Sequence, residues 1–173
     1  DLENFFRRID QWDHKHCLKE RQETRKIISF FSSKGGVGLS LLAANTAAAL
    51  AKRNVGRVLL ADFVLQHGNI SEYFDLPSKY TLLQLAENLD RLDLQLLDNS
   101  LQRHSSGLFV LPCPKQPEAS DFLSAEETAK MLQILKGAFH YTFLDVGHEL
   151  NAVTLPCLDA SDTVFLVTTP APD

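Results

Sequence analysis

Cysteine is scarce in this 173-residue sequence, and a long apolar run is lacking. The three cysteines are an odd and widely separated set, at positions 17, 113 and 157. This excludes a disulfide-rich scaffold and favours a reduced, cytoplasmic protein. Residues 1–8 are rich in charge and lead into no apolar core, so we expect no secretory signal. The longest uncharged stretch, 35–51, is short for a membrane-spanning helix and contains polar residues, so we expect no membrane span.

An excess of basic charge is also lacking. Seventeen Lys and Arg stand against 22 Asp and Glu, which gives a formal net charge of −5. A protein held to nucleic acid by bulk charge needs the opposite balance, so we expect no nucleic-acid partner. The hydrophobic share of 45% and the charged share of 23% are those of an ordinary globular protein. The length favours one domain, two at most.

Short apolar strands alternate with helical segments along most of the chain. The predicted strands are 27–31, 57–62, 108–111, 141–145 and 163–168, and the predicted helices are 39–52, 79–88, 91–98, 124–136 and 152–158. This alternation predicts an α/β fold, a parallel sheet with helices on both faces. The helix at 39–52 is apolar on almost every side, which predicts burial all round. The leucines between 82 and 97 are expected to pack on the sheet, with a dimer surface as the alternative.

Residues 1–25 differ in character from the rest. Phe5, Ile9 and Trp12 have helical spacing, which predicts a short amphipathic helix that serves as a linker or docking arm. Two histidines and a cysteine within 14–17 resemble metal ligands. No second ligand pair follows at zinc spacing, so a polar helix face is the better interpretation.

A glycine-rich turn joins the first strand to the first long helix. It reads K-G-G-V-G-L-S over residues 34–40, here called the glycine loop. Glycines let successive backbone N–H groups converge on one point, and a helix N-terminus adds partial positive charge, which together favour phosphate binding. Against the pattern G-x-x-x-x-G-K-[ST], Ser33 replaces the first glycine and Leu39 the lysine, whereas Ser40 keeps the Mg²⁺-binding hydroxyl.

Two aspartates end predicted strands, Asp62 and Asp145. Right-handed crossovers bring the carboxyl ends of parallel strands to one edge of a sheet, so both carboxylates are expected beside the glycine loop. The plainer alternatives are a tight strand–helix connection for the loop and a simple loop cap for Asp145.

The glycine loop resembles the deviant Walker A motif of the MinD/ParA ATPases, whose extra lysine follows the first motif position. The segment 62–69, D-F-V-L-Q-H-G-N, is similar to the D-x-D-x-Q-x-G-D segment of the CpaE/TadZ branch. Residues 91–93, 104–112 and D-V-G-H at 145–148 fit that branch too.

The resemblance covers about residues 26–170. It implies a P-loop NTPase-like domain over 26–173 that is truncated at its C-terminus. An N-terminal receiver-like domain would precede it, with residues 1–25 as the connecting linker.

The resemblance also implies a site for ATP or ADP with Mg²⁺. The implied nucleotide-binding residues are Lys34, Gly35, Gly36, Val37, Gly38, Leu39 and Ser40. Lys34 would reach the phosphates across a nucleotide-sandwich homodimer. The metal would be held by Ser40, by Asp145 through water, and by Asp62 as the first switch aspartate.

Two positions depart from the family pattern. Leu39 replaces the phosphate-binding lysine, and Val64 replaces the second aspartate, which in active relatives positions the attacking water. Losing a charge-assisted hydrogen bond should weaken nucleotide binding by about ten- to a hundredfold. We therefore predict weak or absent hydrolysis, with Asp62 as the one remaining catalytic candidate.

Members of the CpaE/TadZ branch assist in assembling or positioning tight-adherence pili. The resemblance implies a cytoplasmic scaffold or weak nucleotide-dependent switch, recruited to the cell pole or the inner-membrane face by pilus and secretion proteins. The alternatives are an active MinD/ParA-type ATPase switch and a partition-type protein that binds DNA.

Overall fold

The computed structural model describes residues 25–65, 68–76, 80–91, 94–114 and 123–170. The predicted N-terminal helix with Phe5, Ile9 and Trp12, and the candidate metal ligands within 14–17, lie outside the described residues. Within the described ranges, six strands form one sheet in the order β3-β4-β2-β5-β1-β6. The strands are β1 (Lys26–Phe31), β2 (Val58–Asp62), β3 (Gln102–Arg103), β4 (Phe109–Leu111), β5 (Tyr141–Asp145) and β6 (Thr163–Leu166).

Every strand pair is parallel except β3 with β4. The helices are α1 (Leu39–Lys52), α2 (Ile70–Tyr73), α3 (Leu82–Ala86), α4 (Leu94–Ser100), α5 (Ala125–Ala138) and α6 (Thr154–Asp159), with a 3₁₀ turn at Leu89–Arg91. The parallel α/β fold predicted from the sequence is therefore confirmed. The antiparallel β3 and the one-turn helix α2 were not predicted.

Helices cover both faces of the sheet, as β2 shows. Its residues alternate between two separate apolar clusters, because successive side chains of a strand point to opposite faces. Val58 and Leu60 pack with the alanines of α1, whereas Leu59 and Ala61 pack with the side of α3, α4 and α5. Both faces of the central strands are thus buried, which explains their continuous apolar sequence.

Helix α1 is buried on one face only, so the prediction of burial all round is wrong. Its buried residues are Leu39, Ala43, Ala44, Ala47 and Ala51. The side chains of Leu41 and Leu42 are 51% and 46% exposed. The helix is the outer layer on its side of the sheet, so an apolar residue on its far face reaches solvent.

Four of the leucines between 82 and 97, at positions 82, 85, 89 and 97, pack in the core as predicted. Leu82, Leu85 and Leu97 are fully buried in the cluster under α3 and α4. Leu92 lies outside the described residues. The Ser124–Glu127 capping box that starts α5 also forms, with the Glu127 N–H 3.2 Å from Ser124 Oγ.

Strand β6 is the exposed edge of the sheet. It pairs with β1 alone, and its residues Val164, Phe165 and Leu166 are 45%, 47% and 66% exposed. Among the described helices, none combines the length and the apolar character needed to cross a membrane.

Candidate functional site

The glycine loop leaves β1 at the carboxyl edge of the sheet and ends at α1. Gly36 and Gly38 have φ of +77° and +80°, the left-handed region that side-chain-bearing residues rarely adopt. A Cβ at either position would meet nothing within 4 Å. The glycines are therefore required by backbone conformation, and the space beside the loop is open.

The first residue of the loop is tied to the sheet next to it. The hydroxyl of Ser32 accepts from the N–H of Lys34 at 3.1 Å and donates to the carbonyl of Lys34 at 2.8 Å. The N–H of Ser32 donates to the carbonyl of Gly147, after β5, at 3.1 Å. These bonds fix the start of the loop against the end of β5.

Leu39 does not face the open side of the loop. Its side chain is 8% exposed and belongs to the apolar cluster of α1, Phe30 and Phe143. Position 39 thus contributes to the core instead of supplying a cation to a ligand. A lysine there would have to leave this cluster or carry its charge through it.

Asp62 and Asp145 lie side by side at the edge where the loop lies. They are register partners on β2 and β5, and their exposed fractions are 1% and 0%. Burial, and then the neighbouring charge of Asp145, raise the pKa of Asp62 to about 7. The same burial raises the pKa of Asp145. The strand ends therefore hold two carboxyl groups that strongly resist being ionised together.

Both carboxylate oxygens of Asp62 accept hydrogen bonds from the loop that follows it. Oδ1 accepts from the N–H of Val64 at 3.1 Å, and Oδ2 accepts from the N–H of Ile70 at 3.2 Å. A Cβ on Gly68 would lie 2.6 Å from Oδ2, so the backbone there passes directly over the carboxyl group. Asp62 anchors the loop between β2 and α2.

Asp145 is the acid that the structure joins to the glycine loop. Its Oδ1 accepts from the N–H of Gly147 at 3.3 Å, and the hydroxyl of Ser40 approaches as a hydrogen-bond donor that lowers its pKa. Its Oδ2 is buried and forms no hydrogen bond at full geometry with any residue that the structure describes. A buried carboxylate oxygen beside a serine hydroxyl suits a hard cation such as Mg²⁺.

Mg²⁺ here would need oxygen ligands beyond the protein. The described ranges contain no group of three or more His, Cys, Asp or Glu side chains that could hold a metal ion. Mg²⁺ commonly binds through one or two protein oxygens together with waters and substrate phosphates. The Ser40 and Asp145 oxygens beside an open glycine loop fit that arrangement.

Two further side chains lie at this edge: Val64, which replaces the second aspartate of the family pattern, and His148, to which the sequence reasoning gave no role of its own. Val64 packs over the turn after β5, with a methyl group 3.2 Å from the position of a Cβ on Gly147. The ring of His148 lies against Gly35, with Cε1 and Nε2 each 3.7 Å from the position of a Cβ there. The signal available was the run D-V-G-H, which places His148 three residues after Asp145.

The sequence of residues 25–172 matches the AAA domain family. The chain belongs to this family. The relatives that it matches include the septum site-determining protein MinD of Synechocystis, which is 28% identical over 146 residues, 84% of this chain and 53% of that protein. The flagellum site-determining protein YlxH of Helicobacter pylori is 28% identical over 150 residues, which are 85% of this chain and 49% of that protein. The chain spans about half the length of the curated relatives it matches.

Solved structures of AAA domain relatives show the same fold. A ParA family ATPase from Chlorobium tepidum superposes with a TM-score of 0.80 at 30% identity, over 86% of this chain and 62% of that one. The septum site-determining protein MinD of Pyrococcus horikoshii, solved with Mg-ADP, gives a TM-score of 0.71 at 22% identity, over 84% of this chain and 58% of that one. The predicted P-loop NTPase-like fold and MinD/ParA membership are thus confirmed.

Proposed function

We propose that this protein binds Mg-ATP or Mg-ADP in the glycine loop. The observation that supports this most directly is the approach of the Ser40 hydroxyl to Asp145, whose Oδ2 is buried without a full hydrogen bond. A cation between the phosphates and this pair would take up that oxygen. The MinD structure of Pyrococcus horikoshii, which was solved with Mg-ADP, has the same fold and so agrees with this placement.

We further propose that hydrolysis is weak. Phosphoryl transfer depends on positioning the attacking water and on neutralising charge on the transferred group. The side chain at position 39 is an apolar residue buried in the core, and the side chain at position 64 is an isopropyl group packed over Gly147. Neither can supply the positive charge or the water-positioning carboxylate that the family pattern places there.

The biological role that we propose is a dimeric scaffold or weak nucleotide-dependent switch for pilus assembly. It would act with pilus and secretion proteins at the cell pole or the inner-membrane face. The similarity of 62–69 and 145–148 to the CpaE/TadZ segments supports this role. The similarity to a flagellum site-determining protein also supports a role in positioning a surface organelle.

Titration calorimetry of Mg-ADP into the protein tests the site. We expect Ser40→Ala and Asp145→Asn to weaken binding by about tenfold or more, since each removes an oxygen from the metal side. Leu41→Ala is the matched control, because Leu41 follows Ser40 on α1 and is 51% exposed. Unchanged affinity in both site variants would place the nucleotide elsewhere.

Steady-state phosphate release separates the scaffold from the alternative of an active ATPase switch. We expect the unaltered protein to release phosphate far more slowly than an active MinD measured in parallel. Turnover like that of the active relative, abolished by Asp145→Asn, would establish the switch instead.

A further inference from the structure

His148 is held at the rim of the glycine loop by the turn after β5. Gly147 has a φ of +71°, which a residue with a side chain rarely adopts, and this turn carries the next residue back toward the loop. Ring atoms Cε1 and Nε2 of His148 lie 3.7 Å from the position of a Cβ on Gly35. The imidazole therefore lies beside the backbone proposed to hold phosphate, at the distance where a side chain on Gly35 would touch it.

The imidazole is available to a ligand. His148 is exposed, and its ring takes part in no hydrogen bond with any residue in the described ranges. A neutral imidazole has one N–H donor, and a protonated one has two donors and a positive charge. Both forms can therefore donate to a phosphate oxygen.

The glycine loop lacks the lysine that the family pattern places at position 39, and the His148 ring could donate a hydrogen bond in its place. The residue at the lysine position, Leu39, is buried beneath α1 and contributes no donor to the open side. Asp145, three residues before His148, stands on the metal side of the proposed nucleotide. The ring of His148 lies instead beside Gly35, on the loop proposed to hold the phosphates.

We infer that His148 donates a hydrogen bond to the phosphate groups of the nucleotide, in partial replacement of the missing lysine. This inference rests on the proposed nucleotide site and adds a phosphate-binding residue to it. An exposed histidine beside a loop can also merely contact solvent, so the distinguishing property is discrimination between phosphate-bearing and phosphate-free ligands.

The test compares Mg-ADP with adenosine by titration calorimetry on the unaltered protein and four variants, His148→Ala, His148→Gln, Leu150→Ala and Ser40→Ala. His148→Ala is expected to weaken Mg-ADP binding by about three- to tenfold, as for loss of one hydrogen bond. It should leave adenosine affinity unchanged, since adenosine carries no phosphate. His148→Gln keeps an N–H donor and should weaken Mg-ADP less than alanine does.

Leu150→Ala is the matched control, because Leu150 follows on the same loop and is 65% exposed. Its affinity for Mg-ADP should equal that of the unaltered protein, and thermal melts should show all variants folded. Mg-ADP affinity unchanged in His148→Ala, while Ser40→Ala loses it, overturns the role of His148 and leaves the nucleotide site standing. Equal losses of Mg-ADP and adenosine affinity in His148→Ala also overturn the role of His148. If the unaltered protein does not bind Mg-ADP, both the role of His148 and the proposed nucleotide site are overturned.

Discussion

Replacing Asp62 with asparagine should change how the stability of this protein depends on pH. In the folded protein, burial and the charge of Asp145 raise the pKa of Asp62 from 3.8 to about 7. Between these two values the folded state holds a proton that the unfolded chain has released. The free energy of unfolding therefore falls as pH rises from about 4 to about 7, and then levels off.

The size of this effect follows from the shift. About three pKa units at 1.36 kcal/mol each amount to roughly 4 kcal/mol of stability lost above pH 7. Asp62→Asn cannot ionise and so avoids this loss. In the folded variant, the NH₂ group of the asparagine replaces one of the two Asp62 oxygens that accept from the N–H groups of Val64 and Ile70. The NH₂ group cannot accept a hydrogen bond, so one of these bonds is lost, at a cost of about 1 kcal/mol at every pH. The variant should then be more stable than the unaltered protein by about 3 kcal/mol at pH 8, and slightly less stable at pH 4.

Urea unfolding followed by circular dichroism, from pH 4 to 8.5 at constant ionic strength, measures both proteins. The difference between them isolates position 62 together with its coupling to Asp145, because groups distant from this pair titrate alike in the two proteins and cancel. A difference in unfolding free energy that stays constant to about 0.5 kcal/mol across this range would refute the reasoning. Repeating the series in Asp145→Asn should shrink the effect, since the charge of Asp145 is the second cause of the shift.

Three further changes test other contacts at this edge. Gly68→Ala should destabilise the protein by about 1–3 kcal/mol in urea unfolding, because its Cβ would lie 2.6 Å from Asp62 Oδ2; equal stability would mean that the loop yields freely. Gly38→Ala should cost about 1 kcal/mol and weaken Mg-ADP binding in calorimetry, because φ is +80°, and normal affinity would contradict the required loop shape. Leu39→Lys with Val64→Asp should raise phosphate release above that of the unaltered protein and of either single variant, and no gain would show that other elements have also decayed.

The layered fold could be predicted because its signals are local. Strands β1, β2 and β5 are short apolar runs bounded by polar residues, and the Ser124–Glu127 box marks the start of α5. Burial on both faces of a parallel sheet produces such runs directly. The two-residue β3 and the one-turn helix α2 carry too little apolar pattern to be recognised.

The candidate site was less predictable, because its details depend on contacts between distant segments. The sequence gives no measure of how closely Gly68 passes over Asp62, nor that Leu39 turns into the core. Helix α1 shows the same limit, since an apolar composition cannot say which face lies outward. The approach of the His148 ring to Gly35 brings together residues 113 positions apart and requires the register of β1 with β5.

Strand β6 has a consequence for how the protein behaves at high concentration. It is the edge of the sheet, and its outward backbone N–H and C=O groups offer a template for any extended segment. Phe165 is 47% exposed although its ring stacks on Phe30 at 5.1 Å, so a segment that added there would also cover apolar surface. An exposed strand edge of this kind is a site at which copies of the chain can pair, and Val164→Lys is expected to reduce such association at high concentration.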